Sequence, residues 1–440
     1  MIRQIDARTA AGAKALEALR AALGAEGGMV SGSGDVRKAE DQVRRILDDV
    51  RKRGDVAVCE WTNRFDGSSL KPEDLRVPEA EIEAAYEAQL DEFIDTVLRV
   101  RDSIREFQRR ILNRDPPALK RGGRTLRQVY RPLARVGIRA PGWKAFYPSS
   151  VLMTAVPALA AGVPEVAVAS LPSADGDIHP SILAVCRVCG IHEVYRMGGT
   201  PSIAAFAYGT ETVRPVEKVA GPGNLYVQIA KRLVYGYVDI DSLAGPSEVI
   251  VLADESANAA IVAADLLSQA EHDPGSAILV TPDEALAAAV AKELEVQLPA
   301  LDRAEATRTA IERYSAVILV EDLDHGAEVV NAFAPEHLQI QTRSPEAVVR
   351  EIRCAGAVFL GPWTPVAVGD YVAGPSHTLP TGGTARWASG LTANDVLRSM
   401  SVIEYDRAAL AEDAEDIVRL AGVEGLSAHA ESVRKRLAST

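Results

Sequence analysis

The stretch ADLLSQAEH ends on two side chains that can bind a metal ion. Gln269 and His272 are three residues apart, so on a helix both project from one face and can reach the same ion. The spacing also fits a helix C-terminus, where a histidine complements the helix dipole. The pair alone therefore leaves a metal site and a helix cap as alternatives.

Glu336 and His337 precede an apolar strand in NAFAPEHLQI. A carboxylate beside an imidazole supplies groups for general acid–base catalysis, and α/β enzymes place such groups at the mouth of a parallel sheet. Neighbouring side chains on a strand point to opposite faces, so these two can act together only where the backbone is irregular. Taken by itself, the pattern favours two surface side chains.

Asp370 and His377 lie in a long stretch rich in glycine and proline, GPWTPVAVGDYVAGPSHTLPTGG, which follows an apolar strand. Long loops in compact proteins are usually functional, so the loop itself is the signal. Each of the two residues could serve as a ligand, a base or a turn residue. Farther along, Glu424 and His429 flank a helix start in GVEGLSAH, a pattern that by itself indicates only a helix terminus.

The GxGxxG pattern of dinucleotide-binding folds, placed after a strand, does not occur in the sequence. Instead, the turn AGPGN, ending at Asn224, leads into the helical stretch LYVQIAKRLVYG. Small residues before a helix N-terminus can hold a phosphate or a carboxylate. A similar turn, AGPSE at 244–248, leads into a strand and is the weaker candidate for anion binding.

The elements that must position these residues follow an α/β pattern. Residues 35–110 are charge-rich with apolar positions at helical spacing, such as Val43, Ile46 and Val50. From about 130 to 245, runs such as EVAVASL alternate with alanine-rich helical stretches, which indicates βαβ units around a parallel sheet. The pattern restarts at SEVIVLADE (247–255), and AILVT, AVILVED and GAVFLG then read as buried strands.

We therefore predict an α/β fold with two Rossmann-like parallel-sheet units that lack GxGxxG, a helical N-terminal region and a helical C-terminal tail. The predicted domains are 1–125 (helical region), 126–245 (first α/β domain), 246–385 (second α/β domain) and 386–440 (tail). The stretch KRGGRT at 120–125 resembles a linker, and strand signals fade after His377. The segment 404–440 is too small to bury a core alone, so it must dock on the chain or on a partner subunit.

Bulk composition excludes several classes of protein. The 440 residues are 47% hydrophobic and 25% charged, as in soluble globular proteins. A net charge of −13 argues against a nucleic-acid partner. The sequence contains neither a signal-peptide core nor an apolar run of membrane-spanning length, which predicts a cytoplasmic protein without a membrane partner. Four cysteines are too few for a disulfide framework, and Cys186 and Cys189 fit small apolar core positions better than a zinc site.

Several of these segments together, and in this order, resemble the histidinol dehydrogenase family over nearly the whole chain. The strings are YPSSVLMTAVPA, AYGTETV, VAGPGNLYV, LAGPSEVIVLAD, DLLSQAEHD, NAFAPEHLQI, GDYVAGPSHTLPT and VEGLSAH. The resemblance implies NAD-dependent oxidation of L-histidinol to L-histidine through histidinal, the last step of histidine biosynthesis, with two NAD consumed. It also implies one Zn²⁺ per subunit and a homodimer with shared active sites.

The resemblance assigns roles to residues that match the family pattern. It implies that Glu336 and His337 are the acid–base pair. The implied zinc ligands are Gln269, His272, Asp370 and His429, all four of which would also contact the substrate together with Ser247, His337, His377 and Glu424.

The implied cofactor contacts are Asn224, Arg139 and Pro201, and two of these three depart from the family pattern. Arg139 stands where a tyrosine is usual, and Pro201 stands where glutamine is expected; Trp143 and Ser376 replace a glycine and an asparagine. These departures bear on cofactor affinity and on NAD versus NADP. They leave two alternatives: a zinc-dependent dehydrogenase of another small alcohol or sulfonated diol, and a zinc-binding homologue without catalysis.

Overall fold

The computed structural model describes residues 2–24, 34–141, 146–243, 245–272 and 275–438. The strands are β1 (Arg3–Asp6), β2 (Leu119–Arg121), β3 (Arg124–Pro132), β4 (Arg135–Ala140), β5 (Glu165–Ser170), β6 (Glu193–Arg196), β7 (Lys218–Ala220), β8 (Asp239–Ile240), β9 (Ser247–Ala253), β10 (Gly275–Thr281), β11 (Ala316–Leu319), β12 (His337–Gln341), β13 (Ala357–Leu360) and β14 (Leu397–Tyr405).

The α-helices are α1 (Ala10–Leu23), α2 (Gly34–Arg53), α3 (Asp55–Asp66), α4 (Glu79–Glu87), α5 (Asp91–Ile111), α6 (Pro148–Ala160), α7 (Pro180–Val188), α8 (Gly199–Tyr208), α9 (Leu225–Val234), α10 (Ala259–Ala270), α11 (Glu284–Gln297), α12 (Ala304–Tyr314), α13 (Leu323–Phe333), α14 (Pro345–Val349), α15 (Val366–Tyr371), α16 (Arg407–Val423) and α17 (Ser427–Ala438). Short 3-10 helices occupy Pro72–Asp74, Leu298–Ala300, Thr384–Arg386 and Ala393–Val396.

A six-stranded parallel sheet, in the order β1-β11-β10-β9-β12-β13, forms the second α/β unit. Its central strands β9, β10 and β11 are mainly apolar because helices cover both faces, whereas β12 also carries His337, Gln339 and Gln341. Helices α10, α11 and α12 share one core with the sheet, and α1, α13 and α14 share the other. The strands predicted from AILVT, AVILVED and GAVFLG all lie in this sheet, but β13, from GAVFLG, is an edge strand and is only partly buried.

A five-stranded parallel sheet, in the order β6-β5-β4-β7-β8, forms the first α/β unit. Helices α4 to α7 pack on one face, and α2, α3, α8 and α9 pack on the other. Helices α2 to α5 therefore cover this sheet, whereas α1 packs on the six-stranded one. The predicted α/β class with two parallel-sheet units and helical ends is confirmed.

The first strand was not expected from the sequence. Residues Arg3–Asp6 pair in parallel with Ala316–Leu319, so the chain begins in the sheet of the second unit before it crosses to the first. A strand of four residues has too short a pattern to identify locally, and its partner lies far along the chain. Residues 1–125 are therefore not entirely helical, while the domain limits at 125, 245 and 385 stay predictions.

A third sheet corrects two expectations about connecting segments. The stretch 120–125, predicted as a linker, is a hairpin between β2 and β3, with Gly122 (φ 50°) and Gly123 (φ 77°) in its turn. Strand β14 pairs antiparallel with β3 along its whole length, although strand signals were expected to fade after His377. Most of β14 is exposed, so it lacks the apolar alternation that identifies a half-buried strand.

The chain ends in the two helices α16 and α17, which form the predicted helical tail. Their apolar side chains are poorly covered: Val423 is 84% exposed and Leu420 is 64% exposed. Among the described residues, no helix combines the length and apolarity needed to cross a membrane.

Candidate active site

The predicted acid–base residues lie at the amino edge of the six-stranded sheet. Ser247 is the first residue of β9 and His337 is the first residue of β12. Helix α10 ends at Ala270, just before β10, and so brings Gln269 and His272 to the same edge. Sheet mouths in α/β enzymes are usually at the carboxyl edge, so this location differs from the general expectation.

An irregular turn lets Glu336 and His337 face each other. Ala334, which ends α13, has a φ of 52° in the left-handed region. Glu336 therefore precedes the strand, and its Oε2 lies 3.4 Å from Nδ1 of His337. Both side chains are buried. The backbone is therefore irregular where Glu336 and His337 need it to be in order to act together. Because both side chains are buried, the alternative of two surface side chains is wrong.

The imidazole of His337 is held so that one ring nitrogen remains available. Its Nδ1 donates to the carbonyl oxygen of Glu248 at 3.1 Å, so Nδ1 carries a proton in either charge state and Nε2 is the atom that gains or releases one. That Nε2 is buried, has no hydrogen-bond partner among the described residues, and lies 3.7 Å from Oδ1 of Asp370. Burial opposes the charged ring, but the carboxylates of Glu336 and Asp370 outweigh it and raise the pKa of His337 to about 10.

The stretch predicted as a long loop contains the short helix α15, which carries Asp370; His377 lies beyond that helix and contacts Asp370. Nδ1 of His377 donates to the carbonyl oxygen of Asp370 at 3.0 Å, and its Nε2 lies 3.4 Å from the hydroxyl of Ser150 on α6. Burial lowers the pKa of His377, which favours the neutral ring. The neighbouring Ser376 donates to the carbonyl oxygen of Met153 at 2.7 Å, so the loop is fastened to α6 of the first unit at two points.

The predicted zinc ligands are only partly assembled within one chain. Gln269 is buried, and its Oε1 has no hydrogen-bond partner among the described residues, so it is a free acceptor at this edge. His272 lies two residues beyond the end of α10 and is half-buried. Across the described ranges, no three His, Cys, Asp or Glu side chains are placed to hold a metal ion. His272, Asp370 and His429 therefore do not form such a group in a single chain.

Glu424 and His429 belong to the exposed tail. Glu424 caps the end of α16, His429 lies in the first turn of α17, and both are exposed. The part of the chain that the structure describes shows no hydrogen bond or ion pair from either residue to His337 or Asp370. These two predicted site residues are thus not brought to the others by the fold of one chain.

Glu248 is a site residue that the sequence analysis named in a turn but gave no role. Its Oε1 accepts from the backbone N–H groups of Glu336 at 3.2 Å and Gly382 at 3.0 Å. Its own N–H donates to Oε2 of Glu336 at 2.9 Å. Burial and the nearby charge of Glu336 raise the pKa of Glu248 to about 8. The only sign of this role in the sequence was a carboxylate near the start of an otherwise apolar strand.

The predicted cofactor residues lie elsewhere, at the carboxyl edge of the five-stranded sheet. Asn224 follows β7 and caps α9, with its side chain accepting from the N–H of Val227 at 3.2 Å. Pro201 is in the first turn of α8, which follows β6. Arg139 is near the end of β4. Trp143 lies outside the described residues.

Arg139 is buried against the turn that precedes α9. Its Nη1 donates to the carbonyl oxygen of Pro222 at 2.7 Å, while its Nε has no hydrogen-bond partner among the described residues. Burial lowers the pKa of Arg139 to about 10. Gly221 has a φ of 120°, and a Cβ there would lie 2.2 Å from the carbonyl oxygen of Arg139, so only glycine fits.

The same turn rests on a buried ion pair that the sequence analysis missed. Lys231 and Asp241 are hydrogen-bonded to each other, and each also contacts Gly221: the ammonium donates to its carbonyl oxygen at 3.0 Å, and the carboxylate accepts from its N–H at 2.7 Å. The two charges are separated by ten residues, so no local pattern reveals them. They fix the backbone of the turn.

Comparison with known proteins identifies close relatives. A family model described as histidinol dehydrogenase matches residues 31–437. A histidinol dehydrogenase of Rhodopirellula baltica is 49% identical, covering 99% of this chain and 97% of the relative, and one of a Synechococcus species is 48% identical, covering 90% and 92%. The crystal structure of histidinol dehydrogenase from Elizabethkingia anophelis matches with a TM-score of 0.87 at 34% identity, covering 91% of this chain and 92% of that one. These matches favour the stated resemblance over the alternatives of a diol dehydrogenase or a protein without catalysis.

Proposed function

The chain belongs to the histidinol dehydrogenase family, an oxidoreductase family, and we propose that it oxidises L-histidinol to L-histidine through histidinal with NAD as the hydride acceptor. The observation that carries this proposal is the imidazole of His337. It is buried and oriented by a backbone carbonyl, with the Glu336 carboxylate on its Nδ1 side and an unpartnered Nε2 that lies 3.7 Å from Oδ1 of Asp370.

His337 has the geometry of a general base for the alcohol half-reaction. The hydrogen bond from Nδ1 to Glu248 fixes the ring, so Nε2 is the atom that accepts the hydroxyl proton of histidinol. As that proton leaves, a hydride departs from the carbon and an aldehyde forms. Neutralising the charge of Asp370 would lower the pKa of His337 towards the range in which a base works.

Glu336 is suited to the aldehyde half-reaction. Its carboxylate is buried and is held by the N–H of Glu248, so it has a fixed direction. We assign it to remove a proton from the water that adds to the aldehyde. The resulting hydrate loses a second hydride and a proton, which gives the carboxylate of histidine.

We propose that Gln269, His272, Asp370 and His429 hold one zinc ion per subunit. The donor set of nitrogen and oxygen atoms suits zinc, and the unpartnered buried Oε1 of Gln269 fits a ligand role. When bound, the ion would supply a Lewis acid that orients the amino and imidazole nitrogens of the substrate. Ser247, His377 and Glu424 would complete the substrate contacts.

A homodimer would complete this site. His429 and Glu424 are exposed in one chain, next to the exposed apolar side chains Leu420, Val423 and Leu426. A partner that covers this apolar surface would receive His429 and Glu424 into its own amino-edge site. We therefore propose a symmetric dimer with shared active sites. The sparse cysteines support the further proposal of a cytoplasmic location.

The test of the activity is NADH formation with L-histidinol, with and without added zinc. We expect turnover, about one zinc per chain by elemental analysis, and loss of both zinc and turnover in His272→Ala. A panel of small diols and NADP serve as the comparison substrates. Full activity of the metal-stripped protein would remove the zinc proposal, and turnover of a diol but not of histidinol would remove the substrate proposal.

Mixing two inactive variants tests the shared site. In a heterodimer of His337→Ala and His429→Ala chains, a shared arrangement places both lesions in one site and leaves the other intact. Random reassortment should restore about a quarter of the original activity, since about half of the dimers are mixed and each has one intact site of two. Mixed dimers that form and stay inactive would show that each site is built from a single chain.

A further inference from the structure

A buried polar link joins helix α10 to strand β12 inside an otherwise apolar core. Oδ2 of Asp265 accepts from Nε2 of Gln339 at 2.7 Å and from Nε2 of Gln341 at 2.6 Å. Asp265 is 6% exposed, Gln339 is fully buried and Gln341 is 3% exposed. The surrounding residues of α10, such as Val262 and Leu266, belong to an apolar core cluster.

On both α10 and β12, the residues of this polar link are close neighbours of candidate site residues on the same face of the element. Alternation along β12 puts His337, Gln339 and Gln341 on one face of the sheet. On α10, Gln269 follows Asp265 by four residues, which is about one turn on the same helix face. Asp265 thus lies one turn before Gln269 on the helix, and Gln339 lies two residues after His337 on the same face of the strand.

Because α10 and β12 run in opposite directions, the step from Asp265 to Gln269 on the helix matches the step from Gln339 to His337 on the strand. Helix α10 connects the parallel strands β9 and β10, so it runs opposite to them and to β12. Four helical residues rise about 6 Å and two strand residues about 6.6 Å. Moving from Asp265 to Gln269 therefore follows the strand back from Gln339 to His337, towards the amino edge of the sheet at which both residues lie.

Stability does not explain this carboxylate. It has no cation among its hydrogen-bond partners, and burial raises the pKa of Asp265 to about 6. Buried charges commonly stabilise a protein less than apolar residues of the same size would. One carboxylate oxygen shared by two amide groups, however, can be reached from both only in a single register of the helix against the strand.

We propose that Asp265 is a positioning residue that sets the register of α10 against β12 and so aims Gln269 and His272 at the amino-edge site. This inference rests on the proposed function, because Gln269 and His272 are proposed zinc ligands. Asp265 itself touches neither substrate nor metal in this scheme; it acts through the helix that carries the ligands.

Two substitutions of similar size separate position from charge. Asp265→Asn keeps an oxygen that can accept from both glutamines, and its amide can donate to Oε1 of Gln339 or Gln341, both of which lack partners in the described structure. Asp265→Leu fills the space but removes the acceptor. We expect Asp265→Leu to weaken zinc binding by about 10–100-fold and Asp265→Asn to change it by no more than about threefold.

Hydrogen exchange of the metal-free proteins provides a readout without zinc. Asp265→Leu should speed amide exchange in the last turn of α10, at 266–270, and Asp265→Asn should not. Zinc affinity is measured by titrating the same metal-free proteins against a chelating indicator. If Asp265→Leu does not fold, Gln341→Leu, which removes one of the two donors, should shift both readouts in the same direction by less.

Asp254 supplies a matched control at the opposite edge of the same sheet. It is also a buried carboxylate, and it accepts from the N–H of Arg343 at 2.8 Å and from that of Ser256 at 2.9 Å. Asp254→Leu should lower the melting temperature and leave zinc affinity and exchange at 266–270 unchanged.

The outcomes separate this inference from the proposed function. If the parent chain binds zinc and Asp265→Leu matches it in affinity and exchange, Asp265 does not position α10. If Asp265→Asn loses as much as Asp265→Leu, the charge matters rather than the register, and the inference is overturned. If the parent chain binds no zinc, the metal proposal fails, while the exchange data still decide whether Asp265 fixes the helix.

Discussion

The two predicted functional regions of this molecule are built in different ways. The predicted cofactor region lies at the carboxyl edge of the five-stranded sheet. It consists of a glycine-rich turn whose backbone, at Gly221, is hydrogen-bonded to Lys231 and Asp241. At the amino edge of the six-stranded sheet, side chains form the site, and the buried atoms Oε1 of Gln269 and Nε2 of His337 have no partner in the described structure. A region built from backbone tolerates changes of side chain, whereas a region built from side chains does not.

Departures from the family pattern occur in both regions: Arg139 and Pro201 lie in the backbone-built one, and Ser376 lies beside His377 in the side-chain-built one. In the backbone-built region, Arg139 donates to the carbonyl oxygen of Pro222. In the side-chain-built region, Glu336 and His337 depend on each other and on Glu248. Substitutions at the amino edge should therefore affect turnover, and those at the carboxyl edge should affect cofactor affinity.

The largest expected effect is that of His337→Ala. Loss of the base should lower kcat for NADH formation by about 10²–10⁴-fold, since general base catalysis contributes that much. His179→Ala is the control: that histidine caps α7 and stacks on Phe146 with ring centroids 4.1 Å apart. It should retain turnover. A His337→Ala enzyme with near-normal kcat would mean that another group takes the proton.

The free energy of unfolding should depend on pH through the carboxyl group of Asp265. Its pKa is about 6 in the folded chain against an ordinary 3.8, so the folded state binds the proton more tightly than the unfolded state. Stability should therefore fall as the pH rises through this window, and ionisation above pH 6 costs on the order of 3 kcal/mol. Asp265→Asn does not ionise, so its free energy of unfolding relative to the parent should increase between pH 4 and pH 7.

Urea unfolding of both metal-free proteins at several pH values measures this difference. The parent chain and Asp265→Asn differ by one ionisable group, so other titrations cancel in the comparison. A difference that stays constant from pH 4 to pH 7 would show that the carboxyl of Asp265 titrates normally in the folded protein.

Glu336→Gln should slow the aldehyde half-reaction more than the alcohol half-reaction. The carboxylate of Glu336 is assigned to the water that attacks the aldehyde, so its loss should slow histidinal oxidation about 10-fold or more beyond its effect on histidinol oxidation. Single-turnover rates with each substrate measure the two halves separately. Equal losses would mean that Glu336 serves both halves through its contact with His337.

The sequence was informative about the sheets because their central strands carry long apolar runs. SEVIVLADE, AILVT and AVILVED are buried on both faces, and each run appears as a strand. Strand β1 and strand β14 were missed because their pairing partners lie far along the chain. One is too short to show a period and the other is too exposed to show an alternation.

The candidate site was predictable in part for a related reason. Gln269, Glu336 and His337 are close to the ends of regular elements, so their neighbours in space follow from the sheet order. Glu248 and Asp265 were not given roles, because each is defined by what it contacts across elements: the N–H groups of Glu336 and Gly382, and the amides of β12. A lone carboxylate in an apolar stretch was the only local sign of either.

The carboxyl-edge region should show the smallest effect, confined to cofactor binding. Arg139 buries a guanidinium whose Nε has no partner in the described residues, and Pro201 lies where a glutamine is expected. The double change Arg139→Tyr with Pro201→Gln should tighten NAD binding by about tenfold, equivalent to about 1.4 kcal/mol. Zinc affinity and single-turnover rates at saturating NAD should stay the same, because the amino edge is untouched. Calorimetry with NAD and NADP measures the dissociation constants of parent and variant. An unchanged constant for NAD would show that these two positions do not control binding, and a change in zinc affinity would show that the two edges are coupled rather than separate.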